Sequence, residues 1–159
     1  MAKELELKLK IGDVAPAFTV ATSGGGKISL ADYQGKNVIL YFYPKDDTPG
    51  CTKEACQFND ELSAFSALGA LVLGISPDGA AAHQAFKKKF GLNFALLSDP
   101  EKTVMAKYGA YGEKMLYGKK VNGVIRSTFV VSGQGLIEHA FYNVRADGHA
   151  AKVLATLSR

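Results

Sequence analysis

The sequence predicts an α/β fold, a mixed central β-sheet flanked by helices, and three observations carry that prediction. Apolar runs of strand length alternate along the chain with segments whose apolar residues recur every three or four positions. The strand candidates are continuous, β-branched and aromatic, the pattern of strands covered on both faces. The last two strands flank a short glycine turn, so the sheet closes with an antiparallel hairpin.

In chain order, Val38-Ile39-Leu40-Tyr41-Phe42-Tyr43 stops at Pro44 and reads as a central strand. Ala55, Phe58, Leu62 and Phe65 lie at helical spacing and predict a helix after it. Leu71-Val72-Leu73-Gly74-Ile75 is the next strand, punctuated by Ser76-Pro77-Asp78-Gly79, and Ala82, Phe86 and Phe90 mark the next helix. A short strand follows. Asp99-Pro100 signals a helix start, predicting a helix over 100–108 that stops at Gly109. Ser127 to Val131 and Leu136 to Tyr142 form the hairpin around Gly133-Gln134-Gly135. Residues 147–157 close the chain as a helix with Ala151, Leu154 and Leu157 on one face. This order is that of thioredoxin-like folds, and the first forty residues add a peripheral hairpin or strand, an N-terminal β extension.

Composition narrows the function classes. The chain has 159 residues, 47% hydrophobic and 21% charged, enough to bury a core within one domain spanning 1–159 and too apolar for disorder. It contains no repeat and no apolar run of bilayer length, so no membrane role is expected. Met1 to Lys10 alternates Lys and Glu with Leu and lacks an apolar leader core, which predicts a cytoplasmic, reducing setting. Nineteen Lys and Arg against fifteen Asp and Glu give a net charge of +4, too small an excess to argue for nucleic acid. Two cysteines, Cys51 and Cys56, do not make a disulfide framework in such a setting, so their role is chemical.

The informative stretch is Tyr41 to Asp60, where the buried strand ends and a helix begins near Pro49. Thr48 as N-cap and Pro49 at the first helical position place Cys51 at the third, facing free amides and the positive end of the helix dipole. Such a place favours a thiolate nucleophile. Asp46, Asp47 and Glu54 oppose it with like charge, so the site needs a cation, an arginine. Cys56 lies five residues on, about 8 to 9 Å away between Cα atoms on a regular helix, beyond the reach of a disulfide at roughly 7 Å. A Cys51–Cys56 bond therefore requires the helix to unwind locally. Alternatively, Cys56 is a small core residue beside Ala55 and Phe58.

Pro44-x-x-x-Thr48-x-x-Cys51 resembles the P-x-x-x-T-x-x-C signature of peroxiredoxins. The flanking residues, Gly74 to Asp78, Leu97 to Pro100 and Gly123 to Phe129 are similar to the bacterioferritin comigratory protein, or peroxiredoxin Q, branch, from about Ile11 onward. The resemblance implies an AhpC/TSA-type thiol peroxidase of the atypical two-cysteine kind, reducing hydrogen peroxide and organic hydroperoxides without a cofactor. Cys51 is then the peroxidatic cysteine, Pro44 shields its sulfur, Thr48 hydrogen-bonds sulfur and peroxide, and Arg126 supplies the cation. The Cys51 sulfenic acid condenses with Cys56, and thioredoxin or a similar dithiol restores the pair in a monomer. Where the family commonly carries tryptophan, this chain has Tyr111.

Two other classes compete. A thiol–disulfide oxidoreductase suits the order of elements but not C-x4-C spacing. A redox sensor or holdase would use the same unwinding to expose apolar surface such as Phe58. Zinc ligation by the cysteines with His83, His139 and His149 lacks metal-site spacing, and the histidines read as solvent-facing. Lys87 to Lys89, Lys114, Lys119 and Lys120 read as solvated faces, with docking of thioredoxin as one use.

Overall fold

The computed structural model describes residues 8–158; residues 1–7, where the absence of a leader was read, and residue 159 lie outside the described residues. Strand β3 (Asn37–Phe42) sits in the middle of a five-stranded sheet. It pairs in parallel with β4 (Ala70–Ser76), which pairs in parallel with β5 (Ala95–Ser98). On its other side it runs antiparallel to β8 (Ser127–Val131), which in turn pairs with β9 (Ile137–Phe141), so the order is β5-β4-β3-β8-β9. This is the expected mixed sheet. The expected N-terminal extension is a hairpin of β1 (Thr19–Ala21) and β2 (Lys27–Ser29), tied to the sheet edge by a bridge between Thr22 and Leu97.

Helices cover both faces, and the pleat of β3 assigns its side chains alternately to two cores. Val38, Leu40 and Phe42 pack with Phe129, Tyr108 and Met105 beneath α4 (Thr103–Lys107). Ile39 and Tyr41 pack with Phe58 of α1 (Pro49–Asp60), Phe65 of α2 (Leu62–Ala67), Phe86 of α3 (Ala80–Phe90) and Val153 of α5 (His149–Leu157). Gly74 is required where it stands: a Cβ there would come within 2.9 Å of a Leu96 methyl and 3.0 Å of the Tyr41 ring.

Several local expectations are corrected. The helix read through Phe65 breaks at Glu61 into α1 and α2. The helix expected from Pro100 begins only at Thr103, because Lys102 adopts a left-handed backbone and the Asp99 carboxylate caps the amides of Val104 and Met105. On α3 the buried stripe is His83 and Phe86, with Ala82 exposed, and on α5 it is Ala150 and Val153, with Ala151 exposed. A second hairpin, β6 (Tyr111–Leu116) and β7 (Lys119–Val124), was not foreseen; Lys and Gly dilute its alternation.

Candidate active site

The junction of β3 and α1 follows from its punctuation. Pro44 ends the strand, Asp47 takes a left-handed φ of 61°, and Pro49 starts the helix after Thr48, so Cys51 stands in the first turn. Cys51 is buried, with 1% of its surface exposed, whereas Cys56 is half-buried, and both are free thiols. Burial, then the charge of Asp60, pushes the Cys56 thiol up, so in the folded helix it is a poor nucleophile as well as a distant one.

Arg126 is far from Cys51 in sequence but stands in the link between β7 and β8, next to Ser127, which pairs with Phe42 at the end of β3, and its carbonyl accepts the Val144 amide at 2.9 Å. One guanidinium nitrogen, Nη2, donates to Cys51 Sγ at 3.4 Å, and Nη1 donates to Glu54 Oε1 at 2.5 Å. The arginine demanded by the acidic surroundings is therefore in place. It is shared, however. Glu54 is fully buried and its second oxygen has no partner among the described residues, so burial outweighs the neighbouring arginine and lifts its carboxyl from 4.5 to about 7. At Arg126 the balance is opposite: burial disfavours the cation, but Glu54 and Cys51 together hold its value up.

The other acidic neighbours are directed elsewhere. Asp46 faces Tyr43 and His83, and Asp47 pairs with Lys89 at 2.9 Å on the surface. Thr48 is at the N-cap position, but its hydroxyl donates to the Lys45 carbonyl at 2.9 Å instead of capping α1, tightening the loop. Pro44 is half-buried beside it. The histidines are not solvent-facing: His83 is fully buried, His149 is 4% exposed and bonded to Thr128 at 2.7 Å, and His139 is half-buried. Burial, then Lys152 and Arg126, lowers His149 to about 4. Among the described residues no group of three or more His, Cys, Asp or Glu is placed to hold a metal ion.

Sequence reasoning missed two neighbours of the site. Glu54 was read as an opposing charge and is the partner that orients Arg126; its position three residues after Cys51, on the same helical face, was the available signal. Lys114 was read as solvated but is half-buried, donating to the Val124 carbonyl at 2.7 Å. Its value is lowered by burial and next by Arg126, which places the β6–β7 hairpin beside the site. A cleft of about 350 Å³ opens there, lined by Tyr111, Lys114, Met115, Ile125 and Tyr142 among others.

Comparison with known proteins shows the family. Residues 11–140 match the model of the AhpC/TSA family. The chain belongs to that family and is a peroxiredoxin. It is 54% identical to a putative peroxiredoxin of Mycobacterium tuberculosis, over 95% of this chain and 96% of the other. It is 50% identical to a putative peroxiredoxin, Bcp, of Coxiella burnetii, over 95% and 100%. Among solved structures, Xanthomonas campestris peroxiredoxin Q aligns at a TM-score of 0.84 and 40% identity, covering 89% of each chain. The X. campestris bacterioferritin comigratory protein, aligned equally well, was studied for its alkyl peroxide reduction activity. As a peroxiredoxin the chain is a thiol peroxidase with a thioredoxin-like fold. No helix among the described residues is long and apolar enough to cross a membrane.

Proposed function

We propose that this peroxiredoxin reduces hydrogen peroxide and organic hydroperoxides by a two-cysteine, intramolecular cycle within one domain. The observation that carries the reading is the buried Cys51 sulfur held by the Arg126 guanidinium at the start of α1. The thiolate attacks the terminal peroxide oxygen; the O–O bond breaks, an S–O bond forms, and the departing alkoxide takes a proton, giving Cys51–SOH and ROH. Arg126 stabilises the thiolate, and Pro44 limits water at the sulfur. The Thr48 hydroxyl hydrogen is given to the Lys45 carbonyl, which leaves its oxygen to accept the O–H of the bound peroxide.

Cys56 thiol then attacks the sulfenic sulfur, releasing water and closing the Cys51–Cys56 disulfide. Helix geometry separates the two, so α1 unwinds in this step. Two exchanges with thioredoxin, or a similar dithiol protein, return both thiols. One chain supplies both cysteines on α1, which supports an intramolecular disulfide; a monomer in a reducing, cytoplasmic setting is part of the same proposal. The apolar cleft beside Lys114 supports organic hydroperoxides as substrates.

One equivalent of hydrogen peroxide added to reduced protein, followed by an acid quench and an intact mass, tests the reading. Loss of two hydrogens is expected. An unchanged mass would refute the peroxidatic role of Cys51, and a stable gain of one oxygen would remove Cys56 from the cycle.

A further inference from the structure

A second buried polar network lies behind the loop that delivers Cys51. Asp46, in the middle of residues 44–48, has one carboxylate oxygen accepting the Tyr43 hydroxyl at 2.6 Å. Its other oxygen lies 2.6 Å from Nδ1 of His83, a fully buried residue of α3. The opposite ring nitrogen, Nε2, lies 2.9 Å from the Leu97 carbonyl of β5. The Asp46 amide donates to Asp78 at 2.8 Å, and that carboxylate also accepts the Ser76 hydroxyl at 2.7 Å.

A carbonyl can only accept, so Nε2 carries hydrogen. Then either Nδ1 also carries one and donates to the carboxylate, or Asp46 is protonated and donates to Nδ1. In both cases the pair holds one proton more than a carboxylate beside a neutral imidazole, and every polar atom named here is satisfied. Such a closed network fixes a backbone. Among the described hydrogen bonds, His83 is the only group of α3 that holds Asp46, and Asp46 lies between Pro44 and Thr48, three residues before the helix of Cys51 begins at Pro49.

We propose that His83, acting through Asp46, positions the 44–48 loop for the attack of Cys51 on peroxide. The inference rests on the peroxidatic reading of Cys51. It assigns His83 to the geometry around Thr48 and Pro44 and leaves the thiolate to Arg126, which approaches from the opposite side of the sequence and touches none of this network. Loosening the loop therefore impairs the oriented reaction with peroxide more than simple alkylation of the sulfur, which needs no Thr48 hydroxyl.

The test compares full-length wild type, His83→Ala and Asp46→Asn for their second-order rates with hydrogen peroxide and with iodoacetamide, Cys56 present throughout. His83→Ala is expected to lose about 10- to 100-fold against peroxide, the scale of a misplaced catalytic group, and less than about twofold against iodoacetamide. Asp46→Asn is expected to stay within about threefold of wild type, because its amide can donate to Nδ1 and accept from Tyr43 while Nε2 still donates to Leu97. A peroxide rate unchanged in His83→Ala overturns the proposal. So does a parallel loss in both reactions, the mark of general loosening, or a loss in Asp46→Asn as large as in His83→Ala. Should His83→Ala fail to fold, His83→Phe, which fills the space without a hydrogen bond to Asp46, takes its place with the same outcomes. A wild type inert to peroxide would instead refute the reading of Cys51 itself.

Discussion

Replacing Glu54 by Gln tests how one arginine serves two anions. Glutamine keeps an oxygen for Arg126 Nη1 and removes the buried charge. The Glu54 carboxyl titrates at about 7 when folded against an ordinary 4.5, so the folded state binds its proton more tightly than the unfolded chain. Stability from this group is full below pH 4.5 and is lost as pH rises through 7. Between pH 5 and 8 that linkage amounts to about 2 to 3 kcal/mol. For a chain of this size, roughly 2 to 4 °C per kcal/mol converts this to a Tm fall of about 5 to 10 °C. Thermal melts of reduced wild type and Glu54→Gln, followed by circular dichroism across that range, isolate the group because all other titrations are common to both. The wild-type curve is expected to fall relative to the variant as pH rises. Parallel curves would show that Glu54 is not held near neutrality by burial, and the account of a shared arginine would fail with it.

Arg126→Met, in the Glu54→Gln background so that no buried carboxylate is stranded, removes a charge-assisted bond to the sulfur. It is expected to slow the peroxide step about 10- to 150-fold in stopped flow. Cys51→Ser is expected to abolish peroxide turnover. Cys56→Ser is expected to consume one equivalent, lose thioredoxin-linked cycling and accumulate sulfinic acid by mass; unchanged cycling would make Cys56 merely structural. Gln57 bridges α1 to the start of α5, donating to Asp147 and accepting from the Gly148 amide, both at 2.8 Å. Gln57→Ala is expected to speed disulfide formation about 2- to 10-fold by easing the unwinding, as read by quenched mass time courses. Gly74→Ala is expected to cost about 1 to 3 kcal/mol in urea unfolding, since its Cβ would sit within 3.0 Å of Tyr41 and Leu96.

The central sheet was legible because β3 and β4 are buried on both faces, and a continuous run such as Val38 to Tyr43 has one reading. The position of Cys51 followed from local chemistry, since Pro44 and Pro49 mark the strand end and helix start whatever surrounds them. What escaped were features set by partners distant in sequence. The β6–β7 hairpin lies against the site, but Lys119, Lys120, Asn122 and Gly123 give it no strand pattern. Ala82 and Ala151 fit an apolar period yet lose their buried places to His83 and Ala150, because a helix turns toward the neighbours it has. His83 could not be read as buried, since its hydrogen-bond partners lie 37 residues before it and 14 after.

The same partners divide α1 into ends of different attachment. Its entrance is fixed by the loop network through Asp46, and its first turn by Arg126, which bonds both Cys51 and Glu54. Its middle is packed by Ala55 and Phe58, the latter stacked 4.6 Å from Tyr41. Cys56 and Gln57 lie on the half-exposed face, where the attachments are the Gln57 bridge and an open ion pair of Lys53 with Asp147 at 3.8 Å. Such exposed contacts contribute little, so they open at low free energy. In the proposed cycle, oxidation of Cys51 to a sulfenic acid alters the sulfur that Arg126 bonds, loosening the first turn at the moment Cys56 is required, while the pair of Arg126 with Glu54 stays. On that reading the helix is held most firmly where the peroxide reacts and opens first on its half-exposed face.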